Sequence, residues 1–511
     1  METKDPEILL KEVQKIAPQL ADVREVAALI ESFGYTDRSM KDWGFPDVFS
    51  LAEHIFARFP KYIPPKETVN ERSTLQKIGT ELASAVRKCS LSLAYAVPWM
   101  ALLALQYRYP DALQVSPELG GALSLSLIAS LITSGGFIQM ISRSGNLYYG
   151  LEEPFLARRS CVSLLVLGGF CTAVFALLGI LTGLYFQVFA LQYLTLAAVN
   201  YIGLSFLWMF CAVISVQGFG WCIPIIFLVS GVGVAGLRFL VHVGTTTLLM
   251  LWPPLALSCA LACVIPSFRY FENRKPGAKD SARPRFSVTF ISLVPFYAYG
   301  TVYFSFMFAD RLTAGSAIPW VSGLSFGIDS AYTKGMDLVL LAFLITAALV
   351  EYFSDSFLKF WNEMAKTLPQ SQTSVLVTRL GRRHTAAIIN VCLVFGAMSI
   401  FSWLVFSRAF GLVLSSSLLQ TIFLGGLGYL MLSLALLENI ILSSLNANSL
   451  ALRAVSIGLA VNLMAGYALS HWLGVEYAAV GLFLGSAVVL YYGNLSVRQA
   501  LRHPDYHYSI A

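Results

Sequence analysis

The chain has 511 residues, of which 57% are apolar and 13% are charged, and its 35 basic and 29 acidic residues give a formal net charge of +6. Soluble domains carry about 25% charged residues, so this composition excludes one large water-soluble core and indicates a protein partly solvated by lipid. The basic surplus falls in loops between apolar segments, which is typical of a membrane protein and argues against a nucleic-acid partner.

Residues 1–70 predict a small soluble helical domain, followed by a polar linker over 71–89. One predicted helix has an apolar face that Gly34 ends. Asp47 is predicted to cap the next helix. Its predicted inward residues are Phe49, Leu51, Ala52, Ile55 and Phe56.

Twelve apolar segments then follow, each near the ~20 residues that a membrane-spanning helix needs. They predict an all-α membrane protein of two six-helix bundles, over 90–266 and 286–497, joined by a basic hinge loop at 267–285 and ended by a tail at 498–511. The predicted spans are 90–107, 119–142, 160–184, 190–216, 220–243, 245–266, 286–309, 335–355, 385–407, 415–442, 449–471 and 476–497.

The distribution of basic residues predicts the orientation. With a cytoplasmic N-terminus, 17 Lys and Arg residues beyond position 90 fall on the inner side and five on the outer side. Because cytoplasmic loops are rich in Lys and Arg, we expect both chain ends, and the hinge, to be cytoplasmic. The long outer connection is expected at 310–334.

Cationic and aromatic residues in the spans suggest a substrate cavity. Arg238 and His242 would line it and bind an anionic group, or Arg238 would extend to the membrane surface. Arg143, at the inner end of the second span, is either a further cavity residue or an interfacial anchor. The aromatic candidates are Tyr297, Tyr299 and Tyr303. They would either stack on sugar rings or belong to the membrane's aromatic belt.

Three acidic residues are candidates for ion or proton coupling, because a charge within a membrane span is costly and needs a reason. Asp310 is expected to end the seventh span at the outer face, paired with Arg311. Glu351 and Glu438 lie toward the inner ends of the eighth and tenth spans. The alternative for each is a paired structural group.

The sequence contains no CxxC or Cys/His metal-ligand spacing and no Walker motif. We therefore predict no metal, no cofactor, no catalytic residue and no direct use of ATP.

Several stretches carry a resemblance to a known family. They are Ser130–Arg143 with Leu147–Gly150, Phe296–Gly300 running to Asp310-Arg311, Leu344–Phe360, and Leu501–Tyr506. In these stretches and in its two six-span halves, the chain resembles the Pel exopolysaccharide translocator (PelG) family of the multidrug/oligosaccharidyl-lipid/polysaccharide (MOP) exporter superfamily. The resemblance implies a MATE- or Wzx-like fold in the cytoplasmic (inner) membrane. It also implies a flippase that moves a polysaccharide or a lipid-linked saccharide beside a synthase or glycosyltransferase complex.

Two other functions are weighed against transport. A membrane-embedded glycosyltransferase or polymerase would need acidic catalytic residues, usually on a long first outer loop, and that loop holds only Asp111 and Glu118. A scaffold or sensor acting through residues 1–70 would not need twelve spans.

The cavity hypothesis makes a prediction about Arg238. Arg238→Ala should reduce export of the polymer at unchanged expression, because an anionic substrate would lose its cationic partner. Export measured in cells that carry the variant tests this, and a normal amount of exported polymer would remove Arg238 from the cavity.

Overall fold

A computed structural model describes the protein over residues 9–10, 13, 23–40, 43–58, 83, 117–187, 189–241, 244–274, 286–318, 330–367, 373–410, 415–445 and 447–502. Its contacts divide the chain into two units. The first unit takes in residues 1–84, 355–387 and 498–511, and the second takes in 85–354 and 388–497.

Three short helices form the N-terminal part of the first unit: α1 (Val23–Ser32), α2 (Asp37–Met40) and α3 (Val48–Arg58). They enclose a small apolar core in which Val26, Ile30 and Leu51 have no exposed surface. The predicted cap of α3 is confirmed, since Ser50 donates to Asp47 Oδ1 from both its backbone N–H and its hydroxyl, each at 2.7 Å. These hydrogen bonds lower the pKa of Asp47.

Two features of this part match the sequence patterns and one does not. Gly34 and Gly44 adopt φ values of +87° and +80°, a conformation that favours glycine at a turn. Leu51, Ala52 and Ile55 are buried as predicted, but Phe49 is 52% exposed, so its predicted inward position is wrong. Phe49 precedes Leu51 by two residues, which is about half a turn of helix, and this places it on the opposite face.

Eleven helices follow among the described residues. They are α4 (Pro117–Gly150), α5 (Pro154–Tyr185), α6 (Leu191–Val216), α7 (Cys222–Val241), α8 (Thr245–Arg274), α9 (Phe286–Ser316), α10 (Ser330–Thr367), α11 (Thr373–Phe410), α12 (Ser416–Ser444), α13 (Asn448–Trp472) and α14 (Ala478–Arg502). Within the described chain, ten are long and apolar enough to cross a membrane, and α7 contains a shorter apolar stretch, Cys222–Arg238. They coincide with eleven of the twelve predicted spans, while the predicted span at 90–107 lies outside the described residues.

Two clusters of buried apolar side chains stabilise the second unit. One cluster draws on α4–α8 and the beginning of α9, from Phe137 to Leu293. The other draws on the remainder of α9 and on α10–α14, from Phe306 to Val489. Helix α9 contributes to both clusters, and it packs against α4 on one side and α13 on the other.

Glycines allow the backbones of these helices to come unusually close. A Cβ added at Gly300 of α9 would overlap the carbonyl oxygen of Gly135 in α4. Similarly, a Cβ at Gly485 of α14 would lie 2.7 Å from the carbonyl oxygen of Gly458 in α13. Small residues at such crossings permit tight packing of membrane helices.

The first unit contains a second group of contacts, where α10 ends and α11 begins. Phe357 packs edge-on against both Trp361 and His384, with ring centroids 6.0 Å apart in each case. The Arg383 side chain donates to Ser356 Oγ at 3.0 Å and lies over the ring of Phe360.

Two predicted loops are shorter than expected. Helix α8 continues through the beginning of the predicted hinge to Arg274. Packing stabilises this extension: Ser267 and Phe268 are buried, and Ser267 donates a hydrogen bond to Gln217 Oε1 at 2.5 Å. The rest of the hinge, 275–285, lies outside the described residues. The predicted outer connection at 310–334 is helical at both ends, over 310–316 and 330–334.

The close crossing of α4 and α9 predicts that a side chain larger than glycine at position 300 lowers the stability of the protein. Gly300→Ala should destabilise the protein by roughly 1–3 kcal/mol, since the added methyl group meets backbone rather than a movable side chain. The thermal unfolding midpoint of the detergent-solubilised chain measures this effect.

Gly396→Ala is the matched control, because Gly396 is also helical and a Cβ there would have no atom within 4 Å. It should leave the midpoint unchanged or raise it, as alanine favours helix over glycine. An equal midpoint for the two variants would contradict the close crossing.

Candidate functional site

A cluster of charged and hydroxyl side chains lies inside the second unit, away from solvent. Asp310 and Arg311 come from α9, Tyr332 and Asp337 from α10, and Tyr429 from α12. Asp310 has no exposed surface, and the side chains of Arg311 and Asp337 are 13% and 8% exposed. We call these five residues the buried charge network.

Arg311 is the centre of this network. Its Nη1 lies 3.5 Å from Asp310 Oδ2 and donates to the Tyr429 hydroxyl at 3.0 Å, while its Nη2 lies 3.3 Å from Asp337 Oδ1. The Tyr332 hydroxyl donates to Asp310 Oδ2 at 2.9 Å. The guanidinium therefore joins three helices through charge-assisted hydrogen bonds.

The network is not electrically balanced by its own members. Two carboxylates against one guanidinium leave one negative charge in excess if both aspartates are ionised. Asp310 Oδ1 is buried and has no hydrogen-bond partner among the described residues. A buried charge without compensation is strongly unfavourable, so a proton or a small cation at Asp310 would neutralise the site.

Asn462 of α13 brings another polar group to the same stretch of α9. Its Nδ2 donates to the carbonyl of Phe306, one turn before Asp310, at 3.1 Å. Its Oδ1 is buried and also has no partner among the described residues. Two buried oxygens of this stretch thus retain the capacity to accept a hydrogen bond.

The sequence predicts only part of this network, the pairing of Asp310 with Arg311. The seventh span was expected to end at these residues, whereas α9 continues to Ser316 and both side chains are largely buried. Tyr332, Asp337 and Tyr429 were missed. Asp337 carried a signal, since an arginine at a membrane helix requires acidic partners and Asp337 lies near the start of the next span.

Glu438 occupies a second buried polar site. It has no exposed surface, and its Oε1 accepts a hydrogen bond from Asn494 Nδ2 at 2.9 Å. The neighbouring Asn439 is also buried, and neither of its side-chain amide atoms has a hydrogen-bond partner among the described residues. Glu438 is thus a buried carboxylate beside Asn439, and its hydrogen bond from Asn494 is a contact that the sequence pattern does not indicate.

Two other predicted site residues are on the surface of the structure. Glu351, the third candidate for coupling, is exposed on α10. Arg238 is exposed in the last turn of α7. Its predicted neighbour on the same face, His242, lies outside the described residues.

The aromatic candidates separate into two groups along α9. Tyr297 packs edge-on against Phe137 of α4, with ring centroids 5.0 Å apart. Tyr299 and Tyr303 stack on each other at 5.9 Å and pack against the second apolar cluster. Tyr299 and Tyr303 are one helical turn apart and share a face of α9. Tyr297 precedes Tyr299 by about half a turn and lies on another face, so the three tyrosines do not form a single surface.

Arg143 lies with the first of these groups. Its guanidinium is 5.3 Å from the centre of the Phe296 ring, next to Tyr297 in the chain, and the residue is exposed. The crossing of α4 and α9 therefore presents a cation beside aromatic rings. Within the described residues, no group of three or more His, Cys, Asp or Glu side chains could hold a metal ion.

Comparison with known proteins identifies the fold. The sequence matches no protein-family model, and no curated protein matches it. A point mutant of the Vibrio cholerae MATE transporter VcmN is similar in structure, with a TM-score of 0.59 and 17% sequence identity over 84% of this chain and 100% of that chain. The bent form of VcmN gives a TM-score of 0.56 at 16% identity, over 84% of this chain and 99% of that chain.

A MOP superfamily transporter from Pyrococcus furiosus, described by a binding pocket of reverse polarity, has a TM-score of 0.51 at 12% identity over 81% of this chain and 96% of that chain. These similarities confirm the predicted fold class, an all-helical membrane protein with the MATE-like fold of MOP superfamily transporters.

The buried charge network predicts how stability responds to its charges. Arg311→Met should destabilise the protein by about 3–5 kcal/mol, because two buried carboxylates lose their common partner. Adding Asp337→Asn to that variant should restore part of the loss, as one of the two unpaired charges is removed. Thermal unfolding in detergent measures both effects.

Arg453→Gln provides the control, since Arg453 is exposed on α13 and its loss should cost less than about 0.5 kcal/mol. Equal unfolding midpoints for Arg311→Met and Arg453→Gln would contradict the structural role of the network.

Proposed function

We propose that this protein is a transporter that moves a polysaccharide or a lipid-linked saccharide across the cytoplasmic membrane by alternating access of two helix bundles. The observation that carries the proposal is the buried charge network, set within a fold that solved transporters share. Ionisable groups inside membrane helices are costly, and they mark ion pathways and proton relays.

The network is the proposed coupling site. Asp310 combines complete burial, an unpartnered Oδ1 and a shared arginine. Binding of a proton or a cation there would remove the excess negative charge and change how strongly Arg311 attracts Asp337. Because Arg311 joins α9, α10 and α12, a change in its partners would favour a different arrangement of these helices.

Glu438 is the second coupling candidate. Its buried carboxylate accepts a hydrogen bond from Asn494, and the next residue, Asn439, is a second buried amide. The two sites use different helices and are tested separately.

The substrate class is supported by the residues at the α4–α9 crossing. An aromatic ring can stack on a sugar ring, and an arginine can bind an acidic or phosphate group. Tyr297 and Arg143 supply one of each beside Phe296. Tyr299, Tyr303 and Arg238 remain candidates for other parts of a longer saccharide.

The remaining elements of the proposal come from the sequence. Both chain ends and the hinge are placed in the cytoplasm by the distribution of Lys and Arg. A polysaccharide synthase or glycosyltransferase complex is the proposed partner. The shared fold favours transport over the glycosyltransferase and scaffold alternatives.

Transport by reconstituted protein tests the coupling site. The full chain is placed in vesicles with a labelled lipid-linked oligosaccharide and an imposed pH or Na⁺ gradient. Asp310→Asn should reduce gradient-driven movement at least about tenfold, because the neutral amide cannot take up a proton and binds a cation weakly. Glu438→Gln is measured in the same assay.

Glu351→Gln, at the third coupling candidate, is measured as well. Glu363→Gln is the matched carboxylate control, since Glu363 is exposed on the same helix and is not a coupling candidate, and it should transport at nearly the wild-type rate. Gradient-driven transport by Asp310→Asn at the wild-type rate would remove the network from coupling. If the wild-type chain moves no saccharide but transports other solutes, the substrate class is wrong and the transport function stands.

A further inference from the structure

We propose that a cavity at one end of the helices binds the phosphate headgroup of an anionic amphiphile. It is separate from the buried charge network and lies where α4 and α8 end and α5 and α9 begin. Its volume is about 670 Å³, within the usual range of roughly 300–1,000 Å³ for ligand sites. Its polar lining includes Tyr148, Arg158, Arg159, Ser163, Glu272 and Thr289.

Two consecutive arginines give the cavity its positive character. Arg158 pairs with Glu272 through Nη1 alone, which lies 3.0 and 2.9 Å from the two carboxylate oxygens. Since a guanidinium has five N–H donors, the donors on its Nη2 and Nε are not used in this pair. Glu272 therefore holds Arg158 in position without occupying it completely.

Arg159 adds the charge that Glu272 does not balance. It is exposed and lines the same cavity, so the two arginines and one glutamate carry a net charge of +1. The hydroxyl groups of Tyr148 and Thr289 in the lining can donate to an anion as well. Basic pockets between membrane helices are suited to lipid headgroups, and arginine is suited to phosphate.

The surface beside the cavity indicates that the ligand has an apolar part. Val162 lines the cavity, and Val166 and Phe170 follow it along the same face of α5 at intervals of four residues. Their exposed fractions are 41%, 69% and 68%. This apolar strip begins at the cavity and continues along a membrane-spanning helix, so a ligand with its phosphate at the arginines could lay its hydrocarbon chain along α5.

A phosphate on a hydrocarbon chain occurs in glycerophospholipids and in polyprenyl-linked saccharides. The geometry points to the chemistry that both share. Lipid binding at this cavity does not rest on the proposed transport function, because it requires neither coupling nor movement of substrate.

Lipid binding to the purified full-length chain tests the proposal. Native mass spectrometry in detergent gives dissociation constants for phosphatidylglycerol, phosphatidylcholine and a polyprenyl phosphate. In the Arg158→Gln/Arg159→Gln variant, binding of phosphatidylglycerol and polyprenyl phosphate should weaken roughly 10- to 30-fold, from about 1 kcal/mol for each arginine. Binding of zwitterionic phosphatidylcholine should change less than twofold.

Two further variants control the experiment. Arg159→Gln alone leaves the Arg158–Glu272 pair intact, so a weaker affinity in this variant is not explained by misfolding. Arg453→Gln is matched in position, because Arg453 is the sixth residue of α13 as Arg159 is of α5, and it does not line the cavity. It should bind all three lipids like the wild type.

The outcomes are distinct. Weaker binding of both anionic lipids supports recognition of the phosphate, and weaker binding of only one supports the proposal with that lipid as the ligand. Unchanged binding in the double variant, an equal loss for phosphatidylcholine, or an equal loss in Arg453→Gln would overturn it. None of these results depends on whether the chain transports a saccharide.

Discussion

The association of Arg311 with two aspartates inside the second unit is the constraint on which much of this structure depends. In a medium of low dielectric constant, a guanidinium or a carboxylate is tolerated only when its partners lie within hydrogen-bonding distance. The partners of Arg311 come from α9, α10 and α12. A shift of any one of these helices by one residue would separate charges that cannot be solvated, so the network specifies their register.

Helix α9 connects this electrostatic requirement to the packing of the helices. It carries Asp310 and Arg311 near one end, and about three turns earlier Gly300 meets the backbone of Gly135 in α4. Asn462 and Ser470 of α13 donate to carbonyls of α9 on its other side. One helix therefore has a role in the charge network, in the closest crossing with α4 and in the packing of α13. A change of charge at Asp310 would act on an element that both apolar clusters contact.

The arginines of the cavity, Arg158 and Arg159, differ from Arg311 in their exposure. They lie near a helix end and are at least partly exposed, so they keep their charge at little desolvation cost and remain available to a ligand. In the buried network, by contrast, Arg311 pairs with two aspartates, and Asp310 Oδ1 is buried without a hydrogen-bond partner among the described residues. The arginines of this protein thus differ in burial: Arg311 is largely enclosed and joins helices, whereas Arg158 and Arg159 are exposed.

The apolar segments and their lengths by themselves determined that this is an all-helical membrane protein, because spanning a bilayer needs about 20 apolar residues whatever the helix packs against. The cap at Asp47 and the turns at Gly34 and Gly44 were likewise predictable, since they depend on neighbours in the chain. The partners of Arg311, the exposure of Glu351 and the separation of Tyr297 from Tyr299 were decided only by tertiary structure. Each depends on which face of a helix meets which neighbour, and residues such as Arg311 and Tyr429, 118 positions apart in the sequence, meet only when the helices pack.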